Sequence, residues 1–199
     1  MALDPVTRRA VLKSLTMSVA AGSVLRVIPI EAAEHAHHAI EEEKEENAGG
    51  AYAPKFFDAH GYKTLQALCE TILPTDADAG GAVGAGAPEF IDLLTSENTE
   101  YQAMLGELLR WLDSTGTSRY GKAWVDSEKQ QQTEILDVVA YRKNAEQDES
   151  LARPVELFSF LRNFTADGFF TSKIGIKYLG YKGNTYLTEF PGCPPVPGV

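Results

Sequence analysis

Tyr101-Gln102-Ala103-Met104-Leu105-Gly106-Glu107-Leu108-Leu109-Arg110-Trp111-Leu112 decides the fold class. Tyr101, Met104, Leu105, Leu108, Leu109 and Leu112 recur at intervals of three and four, which lines them along one face of an α-helix. Asn98 or Thr99 can cap its start, and Gly116 is expected to end it. The same spacing joins Leu65, Leu68, Cys69, Ile72 and Leu73, after which Pro74 stops the helix. Asp76 to Ala87 then reads as a Gly/Ala-rich loop, and Pro88 opens a short segment, Glu89 to Leu94. Ser127 with Gln130 makes a capping box before a helix carrying Ile135, Leu136, Val138 and Val139. Pro154 suits the first turn of a final helix, on which Leu157, Phe158, Phe160, Leu161, Phe164 and Phe169 form a broad aromatic face. No stretch alternates for long enough to make a sheet. The expected class is all-α, a compact multi-helix domain over residues 52–199.

The last part of that domain has a different character. Thr171 to Val199 holds Gly175, Gly180, Gly183, Gly192, Gly198 and four prolines, which exclude regular helix beyond about Leu179. Tyr178, Tyr181, Tyr186 and Phe190 are set among them. Aromatic groups on an extended arm need cover, from the domain itself or from another chain.

Composition narrows the function. The chain has 199 residues, 44% apolar, which suits one domain with an unstructured extension. Its 28 acidic against 18 basic residues give a net charge of −10, wrong for nucleic acid and for anionic lipid surfaces. Two cysteines are too few for a disulfide scaffold or a four-thiolate metal site. No apolar run reaches the ~20 residues that span a bilayer.

Residues 1–33 read as an export signal. Thr7-Arg8-Arg9-Ala10-Val11-Leu12-Lys13 is followed by a weakly apolar stretch from Ser14 to Ile30. Arg8 and Arg9, with Leu12 and Lys13 after them, resemble a twin-arginine translocation signal, although Val11 stands where such signals usually have Phe. Cleavage is expected after Ala32 or Ala33, which takes away four basic and two acidic residues and moves the charge from −10 to −12. Residues 34–51 contain His35, His37, His38 and the run Glu41-Glu42-Glu43-Lys44-Glu45-Glu46, and read as an acidic flexible linker. The histidines can contact a metal, but nothing nearby completes a rigid shell.

No catalytic constellation emerges. His60 is the only histidine outside the linker, and its place at a helix start favours a capping or solvated role. Asp76 and Asp78 begin something like a calcium loop, but Ala79 to Gly84 supplies no further oxygen ligands. Gly80 to Gly86 lacks both the Lys-Ser/Thr ending and the preceding strand of a phosphate loop, and reads as a flexible connector. Glu156 with Asp167, or Glu107 with Asp113, cannot be told from solvated helix faces. Cys69 lies on an apolar helix face, whereas Cys193 sits in Pro191-Gly192-Cys193-Pro194-Pro195 on a stiff arm. After export three outcomes stay open: a Cys69–Cys193 bond, a bond from Cys193 to another chain, or two free thiols. Twin-arginine export moves folded chains, often with a cofactor already inserted, yet nothing here holds one. A partner bound before export resolves the contradiction.

Several motifs resemble the gluconate 2-dehydrogenase subunit 3 family, the small (gamma) subunit of periplasmic flavin dehydrogenases. They are Leu65-Gln66-Ala67-Leu68-Cys69-Glu70-Thr71-Ile72-Leu73-Pro74-Thr75-Asp76, Pro88-Glu89-Phe90-Ile91-Asp92, Asp167-Gly168-Phe169-Phe170-Thr171-Ser172, Leu179-Gly180-Tyr181-Lys182-Gly183-Asn184 and Glu189-Phe190-Pro191-Gly192-Cys193-Pro194. The C-terminal motifs are the specific ones, and the acidic linker is not part of the pattern. The resemblance implies a noncatalytic helical subunit clasping a large FAD-bearing dehydrogenase of the glucose–methanol–choline type. FAD is then held by the large subunit, and haem c by a possible third, cytochrome c subunit. It further implies that the small subunit serves folding of the large one and its passage by the twin-arginine translocase to the periplasm. Phe169, Phe170, Tyr178, Tyr181, Tyr186 and Phe190 become candidate interface residues, and Cys193 a candidate intersubunit disulfide. The alternative is a free-standing periplasmic binding module, metal-handling through His35, His37 and His38.

Overall fold

A computed structural model describes residue 28 and residues 30–47, 50–77 and 80–183. The described residues form an all-α protein without strands. In chain order the helices are α1 (Ile30–Glu46), α2 (Ala59–Ile72), α3 (Gly81–Gly84), α4 (Ala87–Ser96), α5 (Thr99–Tyr120), α6 (Lys129–Ala140), α7 (Arg142–Gln147), α8 (Ala152–Phe170) and α9 (Lys173–Tyr178). Single 3-10 turns at Trp124–Asp126 and Glu149–Leu151 lead into α6 and α8.

The apolar stripes read from sequence become the core. Leu65, Leu68, Leu105, Leu108, Leu112, Ile135, Leu157 and Leu161 are buried together, with Phe90, Ile91 and Trp124. Helix α8 is the central element, packed against α4, α5 and α6. Close approach of α4 depends on Gly168, where a Cβ would stand 3.0 Å from Phe90 Cδ1 and 3.1 Å from Ala87. Helix α5 starts at the Asn98 cap, whose side chain accepts from the amides of Glu100 and Tyr101.

Several details depart from the sequence reading. Helix α5 runs past Gly116 and ends at the left-handed Gly121. Gly116 is buried inside the helix, because a Cβ there would lie 2.8 Å from Lys122 O and 2.9 Å from Trp124 N. The capping box of α6 is Glu128 with Gln131, one residue beyond the expected pair. The glycine loop is no free connector: it contains α3, with Gly81 and Ala82 buried and Ala82 N donating to Leu73 O at 2.9 Å.

The larger correction concerns residues 34–51. The expected flexible linker is instead mostly helix α1, which begins at Ile30 and spans the expected cleavage bonds. Ala32, Ala33, Ala36 and Ile40 form a buried stripe that joins the main core with Ile28. The acidic residues occupy the other faces, so high charge density concealed an amphipathic helix whose apolar side is mostly alanine. It lies on α4.

Candidate partner-docking site

The site is built where α8 gives way to the arm. Ser172 turns the chain: its hydroxyl donates to Phe169 O at 2.7 Å and accepts from Gly175 N at 3.0 Å, capping α9. Helix α9 is pressed so closely on the end of α8 that a Cβ on Gly175 would lie 2.0 Å from Phe169 O. The far end closes with a Schellman motif. Tyr181 N donates to Ile176 O at 3.2 Å and Gly180 N to Lys177 O at 3.0 Å, with Gly180 left-handed at φ 64°.

This geometry sorts the aromatic residues. Phe169 is buried, in edge-to-face contact with both Phe170 (5.0 Å) and Tyr178 (6.2 Å). It is a core residue and a support, which corrects its expected place in an interface. Phe170, Tyr178, Leu179 and Tyr181 are 38%, 53%, 59% and 56% exposed, four of the five large exposed apolar residues among those described. They sit together at the end of α8, on α9 and just beyond it, an exposed apolar set of the kind that suits a contact surface. Leu179 was missed from sequence, because its exposure follows from α9 ending one residue earlier. Tyr186, Phe190 and Cys193 lie outside the described residues, as do Arg8, Arg9, Leu12 and Lys13.

The titratable groups elsewhere are engaged in structure. Asp92, fully buried, accepts from Tyr52 Oη (2.8 Å) and from the amides of Lys55 (2.6 Å), Phe56 (3.1 Å) and Phe57 (3.0 Å). Those donors fill the ordinary accepting capacity of a carboxylate, so Asp92 anchors the segment before α2 and has no capacity left for acid–base work. Burial and the Asp92 hydrogen bond raise the Tyr52 hydroxyl well above its usual range. Burial likewise raises Tyr62, helped by the negative charges of Glu89 and Asp92. Glu89 Oε1 accepts from Lys44 at 3.0 Å, while its buried Oε2 has no partner among the described residues.

His60 is neither cap nor free. Its Nε2 meets Asp113 Oδ2 at 2.7 Å, and Asp113 Oδ1 accepts from Trp124 N at 3.1 Å, tying α2, α5 and the following turn together. Glu107 pairs with Arg153, which also binds Glu156. Among the linker histidines, His37 faces inward. Its ring stacks on Phe90 at 5.0 Å and 19°, and its Nε2 lies 3.0 Å from Thr171 Oγ1, while His35 and His38 are exposed. The three therefore do not converge, and no group of three or more His, Cys, Asp or Glu among the described residues is placed to hold a metal. Cys69 is a buried free thiol, Sγ 3.7 Å from Thr165 Oγ1, and burial pushes it up to about 12. Cys193, the other end of the expected Cys69–Cys193 bond, lies outside the described residues. No helix among the described residues is long and apolar enough to cross a membrane.

The chain belongs to the gluconate 2-dehydrogenase subunit 3 family, whose model matches residues 59–192, from the start of α2 into the arm. It is a small subunit of a dehydrogenase complex, working beside a dehydrogenase partner. Helix α1 precedes the matched region. Neither a curated protein nor a solved structure matches the chain.

Proposed function

We propose that this chain is the noncatalytic small subunit of an exported dehydrogenase complex that oxidises a sugar, polyol or sugar acid. In this reading the large subunit is of the glucose–methanol–choline type and holds FAD, and a cytochrome c subunit takes the electrons. The small subunit clasps the large one in the cytoplasm and assists its folding. It carries the large subunit through the twin-arginine translocase by means of Arg8, Arg9, Leu12 and Lys13, and the complex works in the periplasm. Cys193 forms a covalent link to the partner.

The observation that carries this reading is the exposed set Phe170, Tyr178, Leu179 and Tyr181 at the root of the arm. Because these side chains are already about half buried, covering the remainder on association contributes roughly half of the ~1.5–3 kcal/mol of a full burial each, before ordering costs. The acidic balance of the chain fits a protein partner better than nucleic acid or lipid.

Co-expression with the flavoprotein tests it. Affinity purification of the small chain brings down a second polypeptide with flavin absorbance, and Tyr178→Ser with Tyr181→Ser abolishes that while the helical content of the small chain is kept. Arg8→Lys with Arg9→Lys retains both chains in the cytoplasm. Export of the partner unaffected by the arginine changes would overturn the carrier role, and unaltered copurification of the tyrosine variant would overturn the docking site.

A further inference from the structure

The bonds that sequence reading marks for leader cleavage, after Ala32 and after Ala33, lie inside α1. Both alanines are buried, at 3% and 0% exposure, in one stripe with Ala36 and Ile40. Their small side chains let α1 lie close on α4. The helix is held at three further places. Lys44 pairs with Glu89 of α4 (3.0 Å), Glu41 with Lys173 of α9 (2.7 Å), and Glu43 with Lys55 before α2 (2.7 Å). His37 adds its stacking on Phe90 and its contact with Thr171.

A peptidase takes its substrate as extended chain, so a bond within a docked helix is presented only when the helix lifts off. Lifting α1 exposes Ala32, Ala33, Ala36 and Ile40 together and breaks every contact just named. A chain exported in folded form meets the peptidase with α1 already seated.

We infer that the leader is not cut at Ala32 or Ala33 and that α1 stays with the exported protein as a clamp across α4 and α9, any processing falling N-terminal to Ile28. This rests on the export reading above. The feature belongs to this protein beyond its family match, since that match begins only at residue 59.

Intact-mass measurement and N-terminal sequencing of the full chain, recovered with its partner from the periplasm, test the inference. The expected N-terminus lies at or before residue 28. An N-terminus at residue 29 or later, residues 33 and 34 included, overturns it. A second arm uses the purified full chain and added thermolysin. Ala33→Asp puts a carboxylate into the apolar seam, and cleavage within residues 30–46 is expected at least tenfold faster in that variant than in the parent. Equal cleavage rates overturn the clamp. If the chain never reaches the periplasm, the export reading fails, while the thermolysin comparison still decides whether α1 is seated.

Discussion

The hydroxyl of Tyr52 donates to the carboxylate of Asp92 across 2.8 Å and forty positions of sequence, and three backbone amides converge on the same carboxylate. One side chain on α4 thereby fixes the whole approach to α2. Asp92→Ala leaves the amide of Phe57 buried without an acceptor, and is expected to cost about 2–4 kcal/mol. Urea denaturation gives the size of the loss, and hydrogen exchange should show early release of the amides of Lys55, Phe56 and Phe57. Protection of these amides unchanged from the parent would contradict the anchoring role.

Asp167 gives a pH dependence of definite sign. Burial raises its carboxyl from the ordinary 3.8 to about 6, with no other cause acting. The native state therefore binds the proton more tightly than the unfolded chain, and the stability this contributes is full below pH 4 and lost as pH rises through 6. Asp167→Asn should stabilise the protein at pH 7.5 by about 1 kcal/mol, since partial exposure screens much of the desolvation penalty. The gain should vanish near pH 4. Thermal melts of parent and variant at the two pH values measure it.

His37 works in the opposite direction. Burial is the largest influence on its imidazole and lowers it below 6.5, against the raising effects of Glu41, the Gly168 backbone and Glu89. The seated helix prefers the neutral ring, so the contribution of α1 is present above pH 6.5 and declines as pH falls below it. Protease susceptibility within residues 30–46 should rise between pH 7 and pH 5.5. His37→Phe, which keeps the stacking on Phe90, should flatten that rise.

Two glycines on the molecule should respond oppositely to the same change. Gly175→Ala drives a methyl group into Phe169 O, displaces α9 and should abolish copurification of the partner. Gly106→Ala, with nothing within 4 Å of the added Cβ, should stabilise α5 by about 0.5–1 kcal/mol. Melting temperatures and pull-down yields of the two variants distinguish the effects.

If Cys193 joins the subunits, nonreducing gels of the periplasmic complex show a cross-chain band that disappears in Cys193→Ser. A band pattern identical in parent and variant removes the covalent link from the proposal.

The long helices were legible because each carries a stripe of large apolar residues at helical spacing, as Tyr101 to Leu112 does. Helix α1 was not, since alanines at 32, 33 and 36 signal burial weakly beside a run of five glutamates. Gly116 misled for a related reason: a glycine that admits Trp124 looks in sequence like one that ends a helix. Phe169 and Phe170 were equally plausible contact residues, yet a single residue step round the helix puts the first in the core and the second outside. The cage around Asp92 and the seat of His37 join residues 35 or more positions apart, and local pattern carries no trace of such pairings.

The left-handed turn at Gly180 sets the direction in which residues 181–183 leave α9. Backbone already fixed in this turn has less freedom to lose if Tyr178, Leu179 and Tyr181 are covered by a partner, so more of the contact energy would survive as affinity. A side chain at that position would strain the turn and shift Tyr181 from its place.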